Sequence, residues 1–504
     1  MTGETQAQQS GGDARSPRIV AAFELPREVR PGEELVLAPI GPVARLRIQP
    51  AVESHALQSL PLTVDLLPDG QVSAFGVEER CRVLRTGGAI VVECKAGASP
   101  AGALIRFSAR YPAGARAAGR IVASGGDGFA AQLVTAGSDA TQTVPVVDGS
   151  PLPLPADASG AAQLVLLAPP AGGRLRISRL SIEPLAPPAQ SSAGAWAWEP
   201  DLWRRRGTEL IHAAAQRGLH RLYVTLVIED GRVSHRAALI RFLRAARAKG
   251  IAVEAVEGDP DMVTADGLRS AVRRAQAIAR FDRAAPADAG LAGVQYDIEP
   301  YTLHSWGTYP ADYRGWTEAV RALASAAGRP VHLVLPFWIV DDEGGLRLLR
   351  ELGPSISGVT AMAYRSDPAA IGAIAEPLLS WGVTAGKPVR IALESGPVAP
   401  ETEERFRPAA TGRLAVRQAE GRPRALLLEQ DGRIPGAQMF ASQGRAMVEP
   451  ARISFLGDEA LMVRAAGQLR AAFGAWSSFQ GISYHGISWL TPPAPAAAAV
   501  ASEG

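Results

Sequence analysis

The sequence predicts a multidomain protein: an N-terminal all-β sandwich of jelly-roll-like type, then a (β/α)8 TIM barrel with a β-rich insertion after its seventh strand. Three observations predict it. From residue 19 to about 184, short apolar or alternating runs are punctuated by Pro-Gly, Gly-Gly and Asp-Gly turns, the pattern of antiparallel strands. Beyond 195, apolar runs alternate with stretches of helical periodicity, eight times in about 300 residues, which suits a closed barrel better than an open sheet. Between the two lies EPLAPPAQSSAGA, 183–195, a Pro/Ala/Ser linker. The expected division is a disordered N-terminus over 1–18, the sandwich over 19–184, a linker over 185–195, the barrel over 196–491 and a disordered Pro/Ala-rich tail over 492–504.

In the sandwich the strand-like runs are 34–37, 44–48, 80–84, 90–94, 104–109, 130–134, 163–167 and 174–182. Its two cysteines, Cys81 and Cys94, flank Thr86-Gly87-Gly88-Ala89. If Gly87-Gly88 is a two-residue hairpin turn, the pairing of 86 with 89 propagates to set Cys81 opposite Cys94, at a non-hydrogen-bonded position where side chains come closest. A cross-strand disulfide fits that register and would point to an oxidising compartment; two small buried thiols fit it as well.

Composition excludes several classes. The 504 residues carry 52 Lys+Arg against 50 Asp+Glu, a net charge of +2, and no basic run is interleaved with aromatics, so nucleic acid is not an expected partner. No apolar stretch has the length to span a bilayer, so no membrane insertion is expected, and the first residues are polar, without the apolar core of a signal peptide. The chain as written reads as cytoplasmic, or as extracytoplasmic if an export signal lies upstream. Seven scattered histidines have no ligand spacing, and no Gly-rich phosphate loop follows a strand, so neither a metal nor a cofactor is expected. No pattern specifies an oligomeric state.

The expected barrel strands are 195–198, 222–228, 251–256, 293–298, 331–337, 359–364, 389–393 and 482–487, with helical segments such as 236–249, 268–280, 312–327 and 459–472. The connection over 397–452 is too long for a simple loop and holds strand-like pieces at 413–417, 425–429 and 437–441, a β-rich insertion expected to wall one side of the mouth.

The fourth strand, Gly293-Val294-Gln295-Tyr296-Asp297-Ile298-Glu299-Pro300-Tyr301, carries the functional reading. Alternation puts Gln295, Asp297 and Glu299 on one face, where a buried parallel strand should be apolar. Burying carboxylates is costly unless they are paired or used, and barrel enzymes keep their chemistry at the C-terminal ends of strands. Other strand ends offer Trp198 and Glu199, Glu254 and Glu257, Phe337 and Trp338, Tyr364 and Arg365, Glu394, and Tyr484 and His485 followed by Trp489. Carboxyls ringed by aromatics supply what glycoside hydrolysis needs: a proton donor, a group to stabilise an oxocarbenium-like centre, and flat faces for sugar rings. The substrate expected is a carbohydrate. Catalytic candidates are Glu299, Asp297, Tyr364 and Glu394; substrate-binding candidates are Trp198, Gln295, Tyr301, Trp338, Arg365, His485 and Trp489.

Ala292-Gly293-Val294-Gln295-Tyr296-Asp297-Ile298-Glu299 resembles the Asp-Gly-x-Asp-x-Asp-x-Glu strand of glycoside hydrolase family 18, the chitinase-like family, and Met362-Ala363-Tyr364-Arg365 resembles its Met-x-Tyr-Asp strand. The chain is also similar to bacterial glycosidase-like proteins of this barrel type, a likeness that implies no substrate. The family resemblance implies Glu299 as general acid, Asp297 orienting a substrate 2-acetamido group as nucleophile, Tyr364 bonded to that group's carbonyl and Trp489 as a sugar platform. Ala292, Gln295 and Arg365 replace three aspartates, so the family's inner proton relay is missing; the arginine would favour ionised carboxylates or grip an anionic sugar. A second reading uses Glu394 as the nucleophile of a two-glutamate retaining enzyme, with Glu299 as acid and base. A third is a sugar-binding scaffold without activity. The closing sandwich stretch, 173–185, loosely resembles the last strand of jelly-roll carbohydrate-binding modules, yet all nine tryptophans follow Ala195, so a structural role for that domain is an equal reading.

Overall fold

A computed structural model of the chain describes residues 18–486, apart from 26, 32, 41–42, 51–63, 66, 68–69, 78, 111–113, 137–142, 150, 154–159, 185–191, 307–310 and 342. The expected tail over 492–504, most of the linker, nearly all of the N-terminus and Trp489 lie outside the described residues.

Eight parallel strands close into a barrel in chain order: Ala193–Ala197, Leu219–Val224, Ala252–Glu257, Gly293–Tyr296, Val331–Pro336, Gly358–Met362, Val389–Glu394 and Phe479–His485. Each lies within a few residues of its expected run. The crossovers carry helices such as Pro200–Gln216, Arg236–Ala248, Ala265–Ala284, Pro368–Ala385 and Glu459–Phe473. Local chemistry sets their ends. Asp367 caps Pro368–Ala385 by accepting from the Ala370 N–H at 2.8 Å, and Gly386, at φ 62°, closes it in the left-handed conformation that favours glycine. No helix among the described residues is long and apolar enough to cross a membrane.

A separate antiparallel sandwich packs a five-stranded sheet, centred on Ala101–Arg110 and Gly160–Leu167, against a six-stranded sheet centred on Ala117–Gly125 and Gly173–Pro184. Its core, with Ile90, Ile105, Leu164, Leu166, Leu175 and Ile177 fully buried, is continuous with that of the barrel. The two meet where Ala115 bridges Trp476 and the Arg116 N–H reaches the Ala475 carbonyl at 2.5 Å.

A third sheet departs from the expected division. Ile19–Glu24, Glu33–Ile40 and Val43–Pro50, read from sequence as the opening of the sandwich, instead join the insertion's four strands, Glu401–Ala409, Gly412–Ala419, Arg422–Gly432 and Gln438–Val448, in one seven-stranded sheet. Leu35 pairs with Phe406, and Ile19–Glu24 runs beside Arg422–Gly432. The physical reason is a shared core: Leu25, Leu35, Leu46, Phe406, Leu414 and Phe440 bury one another. Buried charges on both segments are paired as well, Arg47 with Glu403 at 2.7 Å and Arg407 with Glu34 at 3.2 Å. The first insertion strand, Glu-Thr-Glu-Glu-Arg-Phe-Arg-Pro-Ala, is missed by sequence reading because its charge density masks its alternation.

In the hairpin Cys81–Thr86/Ala89–Cys94, Cys81 lies opposite Cys94 and the two form a disulfide. In the chain-entropy account, closing a loop of about 14 residues stabilises the fold by about 3 kcal/mol. The paired Cys81→Ser/Cys94→Ser variant should therefore unfold at lower temperature than the oxidised protein, and reductant should lower the melting point of the wild type but not of the variant; calorimetry with and without reductant checks both.

Candidate active site

Asp297 and Glu299 lie just beyond the end of the fourth barrel strand. The Asp297 N–H still bonds the Glu257 carbonyl at 2.9 Å, so the segment keeps strand alternation past its last ladder residue. Val294, Tyr296 and Ile298 are fully buried on one face, while Gln295, Asp297 and Glu299 follow the other, from the depth of the barrel to its rim. Gly258 makes room: a Cβ there would meet the Asp297 carbonyl oxygen at 2.7 Å.

The two carboxyls are held in unlike ways. Asp297 is pushed up to about 7, first by burial and then by the neighbouring Glu299, with His485 pulling the other way. Its Oδ1 is buried without a hydrogen-bond partner. Glu299 is also raised by burial, against a hydrogen bond donated by the Tyr301 hydroxyl and the charge of His485. Tyr301 and Tyr364 are both pushed well above the ordinary tyrosine value, by burial first and then by the carboxylates, so each remains a hydroxyl donor at neutral pH.

Strands seven and eight contribute a third carboxyl and an imidazole. Glu394 is buried, with Oε1 accepting from the Gly396 N–H at 2.5 Å and Oε2 2.6 Å from His485 Nδ1. The far ring nitrogen, Nε2, receives the Trp198 indole N–H at 2.9 Å. Tyr364 stacks on the same imidazole with ring centroids 6.2 Å apart, and Trp196 meets it edge-on at 5.7 Å. Gly486, at φ 66°, keeps this corner open, because a Cβ there would strike Glu394 Oε1.

The structure thus gathers Asp297, Glu299, Tyr301, Tyr364, Glu394, His485 and Trp198 around one mouth. Other candidates sit elsewhere. Gln295 is fully buried inside the barrel, its Oε1 accepting from Trp196 Nε1 at 2.7 Å and its Nε2 donating to Thr360 Oγ1 at 3.2 Å, which ties strands one, four and six together. Arg365, expected beside the carboxylates, turns instead to the inserted sheet and pairs with Glu401 at 2.9 Å and Glu403 at 3.7 Å. Trp338 is buried, edge-on to Tyr301 at 4.8 Å, with its face covered by the Arg45 guanidinium at 3.9 Å. Glu257 is held bidentately by Arg274, at 2.5 and 2.8 Å. Glu254 lies at the opposite end of the barrel, beside the start of strand four, between Arg221 and His332. Glu199 is exposed at the start of a helix. Arg45 is the contact that sequence reasoning missed: nothing in Val43–Pro50 signals a cation over a barrel tryptophan some 300 positions away. Among the described residues no group of three or more His, Cys, Asp or Glu is arranged to hold a metal ion.

No protein-family model matches the chain, and no curated protein does. Among solved structures it is similar to the spore cortex-lytic enzyme SleL of Bacillus cereus, at 12% identity over 67% of this chain and 74% of that one, with a TM-score of 0.32. A GH18 chitinase from Pseudoalteromonas aurantia aligns at 12% identity over 60% of this chain and 97% of its own, TM-score 0.33. The CBM22-1 and GH10 modules of a Clostridium thermocellum endo-1,4-beta-D-xylanase, complexed with xylohexaose, align at 12% over 67% and 81%, TM-score 0.27. Likeness at this level assigns no residue or substrate to this chain.

The Asp297 titration carries a consequence for stability. Its folded pKa, about 7, is raised above the ordinary 3.8, so the folded state holds a proton that the unfolded chain releases, and stability falls as pH rises from about 4 through about 7. Asp297→Asn removes the charge and keeps the shape. Its melting temperature should exceed that of the wild type at pH 8 and match it near pH 4, whatever the variant does to activity.

Proposed function

We propose that the protein is a glycoside hydrolase acting on a polysaccharide with retention, in which Glu299 is the general acid and base and Asp297 assists a substrate acetamido group. The observation that supports it is the adjacent pair itself: two carboxyls at a barrel mouth, both raised by burial, one of them with a buried oxygen that bonds no other protein group. In the free protein Asp297 holds the pair's proton; when the substrate amide N–H takes an ionised Asp297 as its acceptor, the one proton of the pair lies on Glu299, which gives it to the glycosidic oxygen as that bond breaks. The acetamido carbonyl oxygen of the same sugar closes on the anomeric carbon, while Asp297 accepts the amide N–H and stabilises the cyclic cation. Water then opens the ring from the face the leaving group vacated, giving its proton to Glu299, and configuration is retained. The Tyr364 hydroxyl, a donor at neutral pH, can bond the acetamido carbonyl.

Glu394 suits the nucleophile role less well, because both of its oxygens already accept hydrogen bonds from the protein. It acts through His485 instead.

Glu299→Gln should lower hydrolysis by about 10²-fold or more while binding survives, measured on whichever of a panel of amino-sugar and acidic polysaccharides the wild type cuts. Asp297→Asn should be nearly as damaging. Glu394→Gln should be milder and not rescued by azide; recovery of its activity by azide would instead make Glu394 the nucleophile. Full activity in Glu299→Gln would abandon both enzymatic readings, and saccharide binding with no turnover in the wild type would leave the sugar-binding scaffold.

A further inference from the structure

Nothing in strand four gives Asp297 a proton partner. Both ends of the Gln295 amide are spent on Trp196 and Thr360, and Asp297 Oδ1 has no hydrogen-bond partner. The groups that face the Asp297/Glu299 pair come from other elements: Tyr301 from the following turn, Tyr364 from strand six, and His485 from strand eight backed by Glu394 from strand seven. Among these the imidazole alone can carry positive charge, since Arg365 is drawn off to Glu401 and Glu403.

We propose that His485, clamped between Glu394 and Trp198, is a positioning residue that sets how the proton is shared between Asp297 and Glu299, in the place of the proton relay that strand four lacks. The inference rests on the hydrolase reading for its kinetic arm alone.

The clamp makes opposed demands. The Trp198 N–H at Nε2 needs a lone pair there, so it holds the imidazole neutral with its proton on Nδ1, aimed at Glu394. Burial also disfavours the charged ring, but the Glu394 hydrogen bond and the charges of Glu394, Asp297 and Glu299 outweigh it and raise the His485 pKa above the ordinary histidine value. The ring is therefore poised: it gains charge when the carboxyls lose protons, at the cost of the Trp198 bond. Its charge lowers the pKa of both Asp297 and Glu299, so it opposes the burial that keeps them protonated.

The signs separate this role from simple support. On the hydrolase reading the active form carries one proton on the pair, so the pH profile of kcat/KM has an acid limb from the first carboxyl ionisation and an alkaline limb from the second. His485→Gln keeps hydrogen-bonding capacity and removes the charge, so both carboxyl pKa values rise and both limbs should move to higher pH, by about half a unit or more. Glu394→Gln lowers the pKa of His485 and should move them the same way, by less. Trp198→Phe frees Nε2 for protonation and should move both limbs to lower pH.

Two measurements decide it. The first is the ¹⁵N spectrum of the histidines in the full-length protein, followed upward in pH until the His485 ring is neutral, with His485 assigned by its loss in His485→Gln; the neutral ring is expected as the Nδ1–H tautomer, and an Nε2–H tautomer overturns the proposal. The second is the pH profile of each variant on a 4-nitrophenyl glycoside of an N-acetylated amino sugar. Limb shifts of opposite sign in Trp198→Phe and His485→Gln support it; limbs that stay in place while rates fall, or that shift in the same direction in both variants, overturn it. Full activity in Glu299→Gln would remove the hydrolase reading, and the tautomer measurement would still decide the clamp.

Discussion

Three carboxyls, Asp297, Glu299 and Glu394, share one barrel mouth with the His485 imidazole, and burial raises the pKa of Asp297 and Glu299, with Glu299 raising Asp297 further. Like charges in a buried site repel strongly enough to keep a proton on such a pair above its ordinary pKa. Each carboxyl meets the constraint differently. Glu394 accepts from a backbone N–H and lies against an imidazole, Glu299 accepts from Tyr301, and Asp297, with a buried oxygen unpartnered, holds its proton up to about pH 7. Elsewhere in the barrel the chain solves the same problem with arginines: Arg274 holds Glu257 and Arg221 holds Glu254. Among the described residues no arginine is paired with Asp297, Glu299 or Glu394, and that separates these three from the arginine-held carboxyls more sharply than position along a strand does.

The wall beside this group is assembled from distant parts of the chain. Val43–Pro50 brings Arg45 over Trp338 and Arg47 over Phe337, and Arg365 at the end of strand six reaches the same sheet through Glu401 and Glu403. Trp338 packs on Tyr301, which in turn bonds Glu299. A ring that reads from sequence as a sugar face is thus part of the support for Glu299. Arg45 and Arg47 lie over aromatic faces and Arg365 pairs with glutamates of the sheet, so among the described residues the positive group acting on the carboxyl pair is His485.

What the sequence made legible follows from which interactions are local. Barrel strands announce themselves by apolar runs such as 331–337 and 389–393, because a parallel strand buries both faces, and the Cys81/Cys94 register propagates from a two-residue turn. The alternation of Gln295, Asp297 and Glu299 likewise fixed which side chains share a face. Pairing across hundreds of residues leaves no such mark. Leu35 reads as an ordinary strand residue whether its partner is in the sandwich or is Phe406, so sequence alone puts the first three strands in the sandwich, whereas they pair with the insertion. Side-chain destinations were hidden for the same reason: Arg365 follows Tyr364 in sequence, yet glutamates from the insertion determine where its guanidinium goes.

The amide at Gln295 can be understood from depth. Along the inner face of strand four the site runs from full burial at Gln295 to partial exposure at Asp297 and Glu299. A third carboxyl at the deepest of these positions would face the largest desolvation cost and add a like charge beneath a pair already held above its usual range. A neutral amide avoids both, and because it can donate and accept at once it satisfies Trp196 on one side and Thr360 on the other, fixing three strands at the floor of the mouth. The cost of that rigidity is that the amide below Asp297 cannot exchange a proton with it. Charge regulation then has to come from the rim, where His485 is partly exposed and can gain or lose a proton without stranding it in the core. The amide at the floor and the imidazole at the rim are two halves of one arrangement, in which strand four is locked by neutral hydrogen bonds and its electrostatics are set by strands seven and eight.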